Sequence, residues 1–445
     1  MPWGRGRRFS PPALLGYNKR MTSFCLISLG CPKNTADSEG LAEGLAKRGV
    51  LITDDAEEAD ILAVNTCGFI EDAKRESIDE ILRLAGLKTD GKRLIVLGCL
   101  SERYGEELKR EMPEIDALFG VGEEEKVIDY CAGGAGKVSH VVLPNGNFAA
   151  SCYRYVKVSE GCGRRCSFCV IPSIRGPHKS REPREILRDA EAALRAGAKE
   201  LVLVAQDITA YGKDWKSGGL PGLLRDLASI EGDFWIRLLY LHPAGIDDAL
   251  LEAMAEEDKV VKYVDVPLQH SEDRVLSAMR RAGGTRKEYL RLMVRIRKAL
   301  PGVALRTAFI VGFPGETERD FQGLLDFVEE VRFDRLGAFA YSREEGTAAA
   351  SMKPQVPREV KERRLEELMR VQAEISLEKN RELVGRRFRA LVDAAGAEEA
   401  LGRIYSQAPE IDGHTIIKGA GIEEGGFLNV EITEAYDHDL AGKPS

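Results

Sequence analysis

The 445-residue sequence lacks any uninterrupted apolar run approaching the ~20 residues that a membrane-spanning helix needs. It also has no basic excess, because 64 Lys and Arg stand against 72 Asp and Glu, a net charge of −8. This balance argues against a surface built chiefly to neutralise nucleic-acid phosphates, although a local basic groove is compatible with it. Ordinary hydrophobic (44%) and charged (31%) contents predict a globular chain of two or three domains.

The nine cysteines are odd in number and spread over a long chain, which suits a disulfide framework poorly. Metal or redox chemistry is favoured instead. The apolar segment at 13–17 is too short and too closely bounded by proline to be a signal core, so we expect a cytoplasmic protein. Residues 1–20 precede the first strand-like run and are predicted to be a flexible extension or a misassigned start.

The most informative stretch is Cys162-x-x-x-Cys166-x-x-Cys169, which gathers three thiols within eight residues. Iron–sulfur cubanes and structural zinc sites normally take four protein ligands. The triad therefore either borrows a fourth ligand from a distant part of the chain or leaves one metal corner open for chemistry. A zinc site or structural cluster completed by a distant Cys or His is the alternative that spacing leaves open.

Residues 21–139 alternate short apolar runs with helical patterns, which predicts an open α/β domain with a parallel sheet. Three strand-like runs each deliver a cysteine just past their carboxyl ends: Cys31, Cys67 and Cys99. Because ligands of open α/β sheets bind at the carboxyl edge, we expect these thiols to converge on a second metal site. The alternative is that each is a small core residue, as we expect for Cys25, Cys131 and Cys152.

Residues 141–149 are predicted to be a linker. From 148 to 380, six strand candidates alternate with helices, which predicts a partial (β/α)6 barrel, an incomplete version of the eight-fold TIM-type barrel. Barrel enzymes carry their chemistry on the loops that follow the strands, and here those loops hold the cysteine triad and several polar groups. Among these, His242 and His270 are either ligands or bases, or neutral histidines satisfied by loop carbonyls.

At the end of the first barrel strand, Cys162-x-x-x-Cys166-x-Phe168-Cys169 resembles the signature of the radical S-adenosylmethionine (SAM) enzymes. The resemblance implies that these cysteines hold a [4Fe–4S] cluster whose open iron is chelated by SAM. With the second trio, residues 23–440 are similar to the methylthiotransferases, which implies a further [4Fe–4S] cluster holding an exogenous sulfur. Candidate SAM contacts, or else ordinary loop-capping residues, are Gln206, Gln269, Gly312 and Glu316.

Within that family, the ribosomal-protein branch is most similar, on the motifs at 29–34, 37–39, 171–176, 204–207 and 239–243. The tRNA branch typically has Gly-Cys-Gln-Met-Asn at the first motif and Asn where Asp207 stands. Departures are mild: Ala36 replaces the usual Val, and Ile208 a common Thr. The resemblance implies methylthiolation of the β-carbon of an aspartate in the twelfth small-subunit ribosomal protein. The alternatives are a tRNA-adenosine methylthiotransferase and a non-catalytic metal-binding module.

Residues 381–445 predict a small antiparallel, OB-like β-barrel that resembles the TRAM domain, a module that often grips RNA. This segment has seven Lys and Arg against twelve Asp and Glu. A phosphate-binding module should be basic, so the acidity favours a basic protein partner or merely aids solubility. We expect a basic ribosomal protein bound through this domain, an external electron donor and sulfur source, no membrane, and no nucleic-acid substrate.

Overall fold

The computed structural model describes residues 21–133, 152–215, 218–281 and 283–445. The predicted extension at 1–20 and the predicted linker at 141–149 lie outside these ranges. Within them the chain builds three units, each with its own sheet system. No helix in the described ranges combines the length and the apolarity needed to cross a bilayer.

The first unit is a five-stranded parallel sheet of order β2-β1-β3-β4-β5 with helices on both faces, as predicted. Its central strand β3 is buried at every position, which explains why it reads as a continuous apolar run. The strands are β1 Ser23–Ser28, β2 Leu51–Ile52, β3 Ile61–Thr66, β4 Arg93–Gly98 and β5 Ala117–Phe119. The helices are α1 Pro32–Lys47, α2 Glu71–Gly86, α3 Cys99–Glu111 and α4 Glu124–Ala132.

The second unit is the predicted six-stranded partial barrel, with parallel order β6-β9-β10-β11-β12-β13. Its strands are β6 Tyr153–Lys157, β9 Glu200–Val204, β10 Trp235–Leu238, β11 Tyr263–Asp265, β12 Ala304–Val311 and β13 Arg335–Ala340, with a short pair β7 Ser159–Glu160 and β8 Lys179–Ser180. Its helices are α5 Ile171–Arg175, α6 Pro183–Arg195, α7 Gly219–Ala228, α8 Asp248–Glu256, α9 Asp273–Ala278, α10 Arg286–Ala299, α11 Glu318–Val331 and α12 Arg358–Arg381.

The first unit covers the open side of this incomplete barrel. Helix α1 packs on the edge strand β6, where Arg154 pairs with Glu39 at 3.1 Å. Beyond the other edge strand β13, Glu344 is buried and pairs with Lys74 at 3.1 Å and Arg103 at 2.7 Å. The first unit is therefore clamped to both edges of the barrel.

The third unit is a closed barrel of order β14-β15-β16-β18-β17, entered directly from α12. Its pairs are antiparallel except β16 with β18, which is parallel, so the predicted small β-barrel is confirmed with one parallel closure. The strands are β14 Arg387–Ala395, β15 Glu399–Ile404, β16 Thr415–Lys418, β17 Phe427–Ala435 and β18 Leu440–Pro444.

This closed barrel packs against the amino-terminal ends of the larger barrel's strands. Tyr263, the first residue of β11, donates its hydroxyl to Asp412 at 2.7 Å. Trp235, the first residue of β10, packs its ring 4.9 Å from that of Phe427. The third unit therefore lies at the end of the barrel opposite to the loops that carry the cysteine triad.

A buried ion cluster joins these two units. The Glu200 carboxylate is fully buried and accepts hydrogen bonds from Arg237 Nε at 2.6 Å and Arg403 Nη1 at 2.5 Å. Arg403 also donates twice to Asp393, at 2.8 Å each. Burial alone would raise the pKa of Glu200, but the two guanidinium groups outweigh it and lower the pKa. The carboxylates and guanidinium groups of this cluster therefore depend on one another as partners.

Replacing Arg403 by Met should destabilise the chain, because it leaves the carboxylates of Asp393 and Glu200 with fewer partners in a buried site. Breaking one partner of a buried ion pair costs about 3–5 kcal/mol. The matched control is Arg387→Met in the same small barrel, since Arg387 is exposed and its contact with Glu431 is 4.0 Å. Urea unfolding of both variants measures the effect, and equal unfolding free energies would contradict this account.

Candidate active site

The cysteine triad lies on the loop that follows β6 and β7, and backbone hydrogen bonds fix that loop. Cys162 donates its N–H to Gly176 O at 3.1 Å, and Cys169 donates to Cys166 O at 3.3 Å. Ser167, between them, donates to Met279 O at 3.0 Å, which ties the loop to α9. The three thiols are therefore held at the carboxyl end of the barrel strands, as predicted.

The second trio, Cys31, Cys67 and Cys99, also comes together, and neighbouring glycines permit it. A β-carbon at Gly30 would lie 2.8 Å from Cys67 Cβ and 3.1 Å from its Sγ. A β-carbon at Gly68 would lie 2.8 Å from the carbonyl oxygen of Cys99. Burial, with Cys31 and Cys99 nearby, raises the pKa of the Cys67 thiol to about 12. The three cysteines are thus neighbours at the carboxyl edge of the sheet.

The two trios are neighbours. Cys99 packs in one buried apolar cluster with Val170 and Ile174. Val170 directly follows Cys169 in the chain, and Ile174 lies on α5, which begins two residues after that cysteine. Apolar side chains next to one trio are therefore in contact with a member of the other, and they exclude water from the contact.

A charged network, the interdomain ion cluster of Asp37, Lys157, Glu160 and Arg175, locks this arrangement. Arg175 at the end of α5 contacts Glu160 Oε1 at 3.0 Å and Asp37 Oδ2 at 3.2 Å. Its Nη2 also donates to Asn34 Oδ1 at 2.6 Å. Lys157 donates to Glu160 at 2.8 Å and to Asp37. Asp37 and Asn34 follow Cys31, whereas Glu160 precedes Cys162, so the cluster joins the two trios' loops.

The cations near Cys31 favour the charged forms of Glu160 and of Cys31. Burial raises the pKa of the Glu160 carboxyl, but Lys157 and Arg175 outweigh burial and hold that pKa at about 2. Burial also opposes ionisation of Cys31, yet Lys33 and Arg175 lower the pKa of its thiol below the ordinary value. Because the thiolate is the form that binds metal, Cys31 is prepared for ligation by its cationic neighbours.

The loop after β9 braces the triad from the other side. Gln206 donates Nε2 to Glu160 Oε1 at 2.8 Å, while its own side-chain oxygen is buried without a hydrogen-bond partner in the described part of the chain. Asp207 accepts Arg164 Nε at 2.8 Å and the Thr209 hydroxyl at 2.6 Å. Gln206 and Asp207 thus contact residues on both sides of Cys162, and Gln206 keeps one open acceptor.

Two other predicted SAM contacts lie in structured turns. Gln269 has a left-handed backbone, with φ of 74°, and exchanges backbone hydrogen bonds with Ala308 and Ile310 on β12, each 2.8 Å. Gly312 packs against α12, where a β-carbon on it would lie 2.3 Å from Lys361 Cγ. Both positions are at carboxyl ends of barrel strands, in agreement with the region predicted for them.

The fourth predicted contact, Glu316, already has partners for both carboxylate oxygens. Its Oε1 accepts Arg364 Nη1 at 2.8 Å and its Oε2 accepts the Phe313 N–H at 3.1 Å. His270 Nε2 lies 3.5 Å from the same Oε2. The side chain is buried, so the geometry assigns it at least an anchoring role between this turn and α12.

The two candidate histidines cap loops. His242 Nδ1 accepts the Ala244 N–H at 3.2 Å, and His270 Nδ1 accepts the Glu272 N–H at 3.1 Å. Burial, assisted by Arg281 and Arg164, lowers the pKa of His242 to about 3, so that imidazole is neutral near pH 7. Both histidines therefore have the structural role that was the second alternative. The hydrogen-bond partner of each is a backbone N–H, however, and not a carbonyl.

Several site residues were not singled out from the sequence. Lys33, Arg175 and Tyr240 lie inside the motifs that carry the resemblance, but the contact from Arg175 to Asn34 spans 141 positions. Arg281, whose Nη1 is 3.8 Å from Cys166 Sγ, lies outside those motifs. For Lys33 and Arg175 the available signal was a basic residue close to Cys31 or next to Gly176, and only the fold reveals their partners.

The residues present fit two iron–sulfur clusters. Within the described ranges, no three His, Cys, Asp or Glu side chains converge tightly enough to share a single ion. A [4Fe–4S] cluster binds each thiolate through a different iron, so its ligands stand apart. Two loosely gathered cysteine trios, each with a cation beside it to offset negative charge, suit this cofactor better than a zinc ion.

Family models match the three units. They are the Radical SAM superfamily at 156–328, the TRAM domain at 384–444, and the family described as Uncharacterized protein family UPF0004 at 23–120. A curated relative from Thermodesulfovibrio yellowstonii, named ribosomal protein uS12 methylthiotransferase RimO, is 54% identical over 95% of this chain and 99% of its own. The relative of the same name from Thermotoga maritima is 45% identical over 93% and 98%.

The chain belongs to the RimO methylthiotransferase family. It is accordingly a radical SAM methylthiotransferase that uses SAM and [4Fe–4S] clusters, as the motifs implied. Among solved structures, the radical SAM methyltransferase TsrM from Kitasatospora setae aligns with a TM-score of 0.52 at 16% identity, covering 83% of this chain and 79% of that one. At this level of identity, the likeness to TsrM shows a shared fold alone.

Replacing His242 by Gln should flatten the pH dependence of stability. The unfolded chain protonates this imidazole near its ordinary pKa of about 6.5, whereas the native chain does so near 3. Between these values the unfolded state binds more protons, so the unfolding free energy falls as the pH falls. From about pH 7.5 to about pH 5 the apoprotein should lose about 2 kcal/mol more than the variant, measured by urea unfolding. Equal losses would contradict the buried neutral assignment.

Proposed function

We propose that this enzyme methylthiolates the β-carbon of an aspartate in ribosomal protein uS12, in the cytoplasm. The observation that carries the proposal is the meeting of two cysteine trios at one end of the barrel, in a chain whose relatives named for uS12 match it nearly end to end. One trio suits a radical generator and the other a sulfur carrier. A reaction that needs both must bring them to one substrate carbon.

The proposed ligands of the SAM-binding cluster are Cys162, Cys166 and Cys169, and those of the second cluster are Cys31, Cys67 and Cys99. When bound, these groups and SAM supply radical hydrogen abstraction and sulfur insertion at an unactivated carbon, which no side-chain acid or base performs. The chain's own residues hold the geometry. The interdomain ion cluster fixes one loop against the other, and Val170 with Ile174 keeps water from the space between them.

Contacts with SAM from Gln206, Gln269, Gly312 and Glu316 stay predictions. Gln206 has the strongest support, because its unpaired buried oxygen is an acceptor suited to the ammonium group of SAM. Gln269 offers a side chain held by a left-handed backbone at a barrel-strand end. Glu316 would have to share its carboxylate with Arg364 and the Phe313 N–H.

We also propose that a basic ribosomal protein contacts the acidic third unit. Exposed Glu398, Glu399, Glu423 and Glu424 support this by charge complementarity, whereas Asp412 faces the large barrel and pairs with Tyr263. Because this unit lies at the opposite end from the cysteine trios, it would engage a second part of the substrate. An external electron donor and sulfur source complete the proposed partners, with neither membrane nor nucleic-acid substrate.

The proposed domains are 21–139, 148–380 and 381–445, and residues 1–20 are a flexible extension or a misassigned start. Support comes from the family models, which fall inside these three ranges at 23–120, 156–328 and 384–444.

Removing either trio should remove half of the iron. Anaerobic reconstitution of the wild type should give about eight irons per chain, and each Cys→Ala triple variant about four. The control is Cys25→Ala with Cys131→Ala, since both are buried cysteines away from the trios and should keep about eight. Iron analysis and absorbance measure the outcome. Colourless zinc-bound protein would support the non-catalytic metal-binding alternative and contradict the proposal.

Incubation of the reconstituted enzyme with SAM, a reductant and either purified uS12 or tRNA should modify uS12 alone. Mass spectrometry should find one methylthio group in place of hydrogen on a single aspartate. A variant lacking Cys162, Cys166 and Cys169 serves as the negative control. Modification of tRNA without modification of uS12 would overturn the assigned substrate while leaving the reaction class intact.

A further inference from the structure

A buried ammonium group lies beside the second cysteine trio. Lys33 is the second residue of α1, two positions after Cys31, and only 9% of it is exposed. An ammonium ion is costly to bury unless it is paired or hydrogen-bonded. The position of this charge, next to a proposed cluster ligand, therefore calls for a partner.

Several neighbouring cations have carboxylate partners. Lys157 and Arg175 share Asp37 and Glu160, and Arg164 pairs with Asp207. Within the described ranges, by contrast, no Asp or Glu lies within ion-pair distance of Lys33. The nearby Cys31 sulfur is a proposed cluster ligand. Lys33 is thus a buried cation without a carboxylate partner in the described part of the chain.

Arg281 is another cation of this region with no carboxylate contact among the described residues. Its Nη2 donates to Pro267 O at 2.6 Å and its Nη1 lies beside Cys166. These contacts orient it to the SAM-binding trio. Lys33 is therefore the buried cation without a carboxylate partner that lies beside the trio assigned to sulfur insertion.

The surroundings of Lys33 hold it in place without neutralising it. Its Nζ lies 3.4 Å from the centroid of the Tyr240 ring. A cation–π contact stabilises the charge and leaves it uncompensated. Tyr240 has a left-handed backbone, with φ of 65°, held by a hydrogen bond from its N–H to Asp265 Oδ2 at 2.8 Å. Strain of this kind in a non-glycine residue is concentrated at functional sites.

Tyr240 also marks where substrate must lie. It follows β10 at the carboxyl end of the barrel, where barrel enzymes bind their substrates. Lys33 reaches the same place from the first unit. A ligand that enters between the two units would therefore meet this ammonium group and the partly exposed ring together.

We propose that Lys33 binds the side-chain carboxylate of the substrate aspartate and so selects aspartate over a neutral residue. This inference rests on the proposed function, which makes an aspartate β-carbon the site of reaction. The carboxylate is one bond from that carbon, so an ion pair at Lys33 holds the reacting carbon next to Cys31. Lys33 is thus a specificity-determining and positioning residue.

The test compares wild-type uS12 with a form in which the modified aspartate is replaced by Asn. Lys33→Met should lower kcat/KM for the aspartate form about 100-fold, as loss of one partner of a buried charge pair does. It should change the Asn form by no more than about 3-fold, so that discrimination collapses. The dissociation constant of each substrate, measured by fluorescence anisotropy, should show the same pattern. Lys33→Arg, which keeps the charge, should retain most of the discrimination.

The matched control is Lys47→Met, since Lys47 is exposed on the same helix and should leave both substrates unaffected. Equal losses on the two substrates in Lys33→Met, or preserved discrimination, would overturn the inference while the proposed function stands. A wild-type enzyme that modifies neither form of uS12 would instead refute the proposed function, and the inference with it. Iron content of each variant separates loss of recognition from loss of a cluster.

Discussion

The architecture depends on a buried ion network between two units that are far apart in the chain. Arg175 links Glu160 of the barrel with Asp37 and Asn34 of the first unit, and Lys157 closes the network. Buried ion pairs add little net stability, but breaking one is costly, so they penalise any other arrangement of the units. Asn34 and Asp37 follow Cys31, and Glu160 precedes Cys162. The network therefore fixes the two cysteine trios relative to each other.

At the opposite end of the barrel, a second buried ion cluster also fixes one unit against another. There Glu200 is enclosed by Arg237 and Arg403, and the latter belongs to the small closed barrel. The third unit is thereby fixed on the amino-terminal ends of the strands, and the carboxyl ends stay available for the cysteine loops. The cysteine loops and the third unit are thus separated along the barrel axis, so a protein substrate that contacted both would have to extend along the molecule.

Features of the fold that depend on local periodicity could be predicted from the sequence. Alternating strands and helices predicted the sheet and the partial barrel, and the rule that sites gather at carboxyl strand ends placed Cys67 and Cys99 together. The sequence was insufficient for contacts made by folding. The sequence predicts a SAM contact at Glu316 because it is a polar residue in a barrel-end loop. Its partner Arg364, however, lies 48 positions away on a helix. Likewise, only the fold shows that Lys33 lies over the Tyr240 ring without a described carboxylate partner, while cations around it are paired.

The central claim is that the two trios hold clusters that are neighbours at the carboxyl end of the barrel. Electron paramagnetic resonance of the reduced, reconstituted enzyme tests it most directly, by comparison with the two variants that each retain one trio. Neighbouring paramagnets interact, so the spectrum of the intact enzyme should be broader and faster-relaxing than the added spectra of the single-cluster variants. A spectrum equal to the sum of the two single-cluster spectra would contradict the claim that the clusters are neighbours.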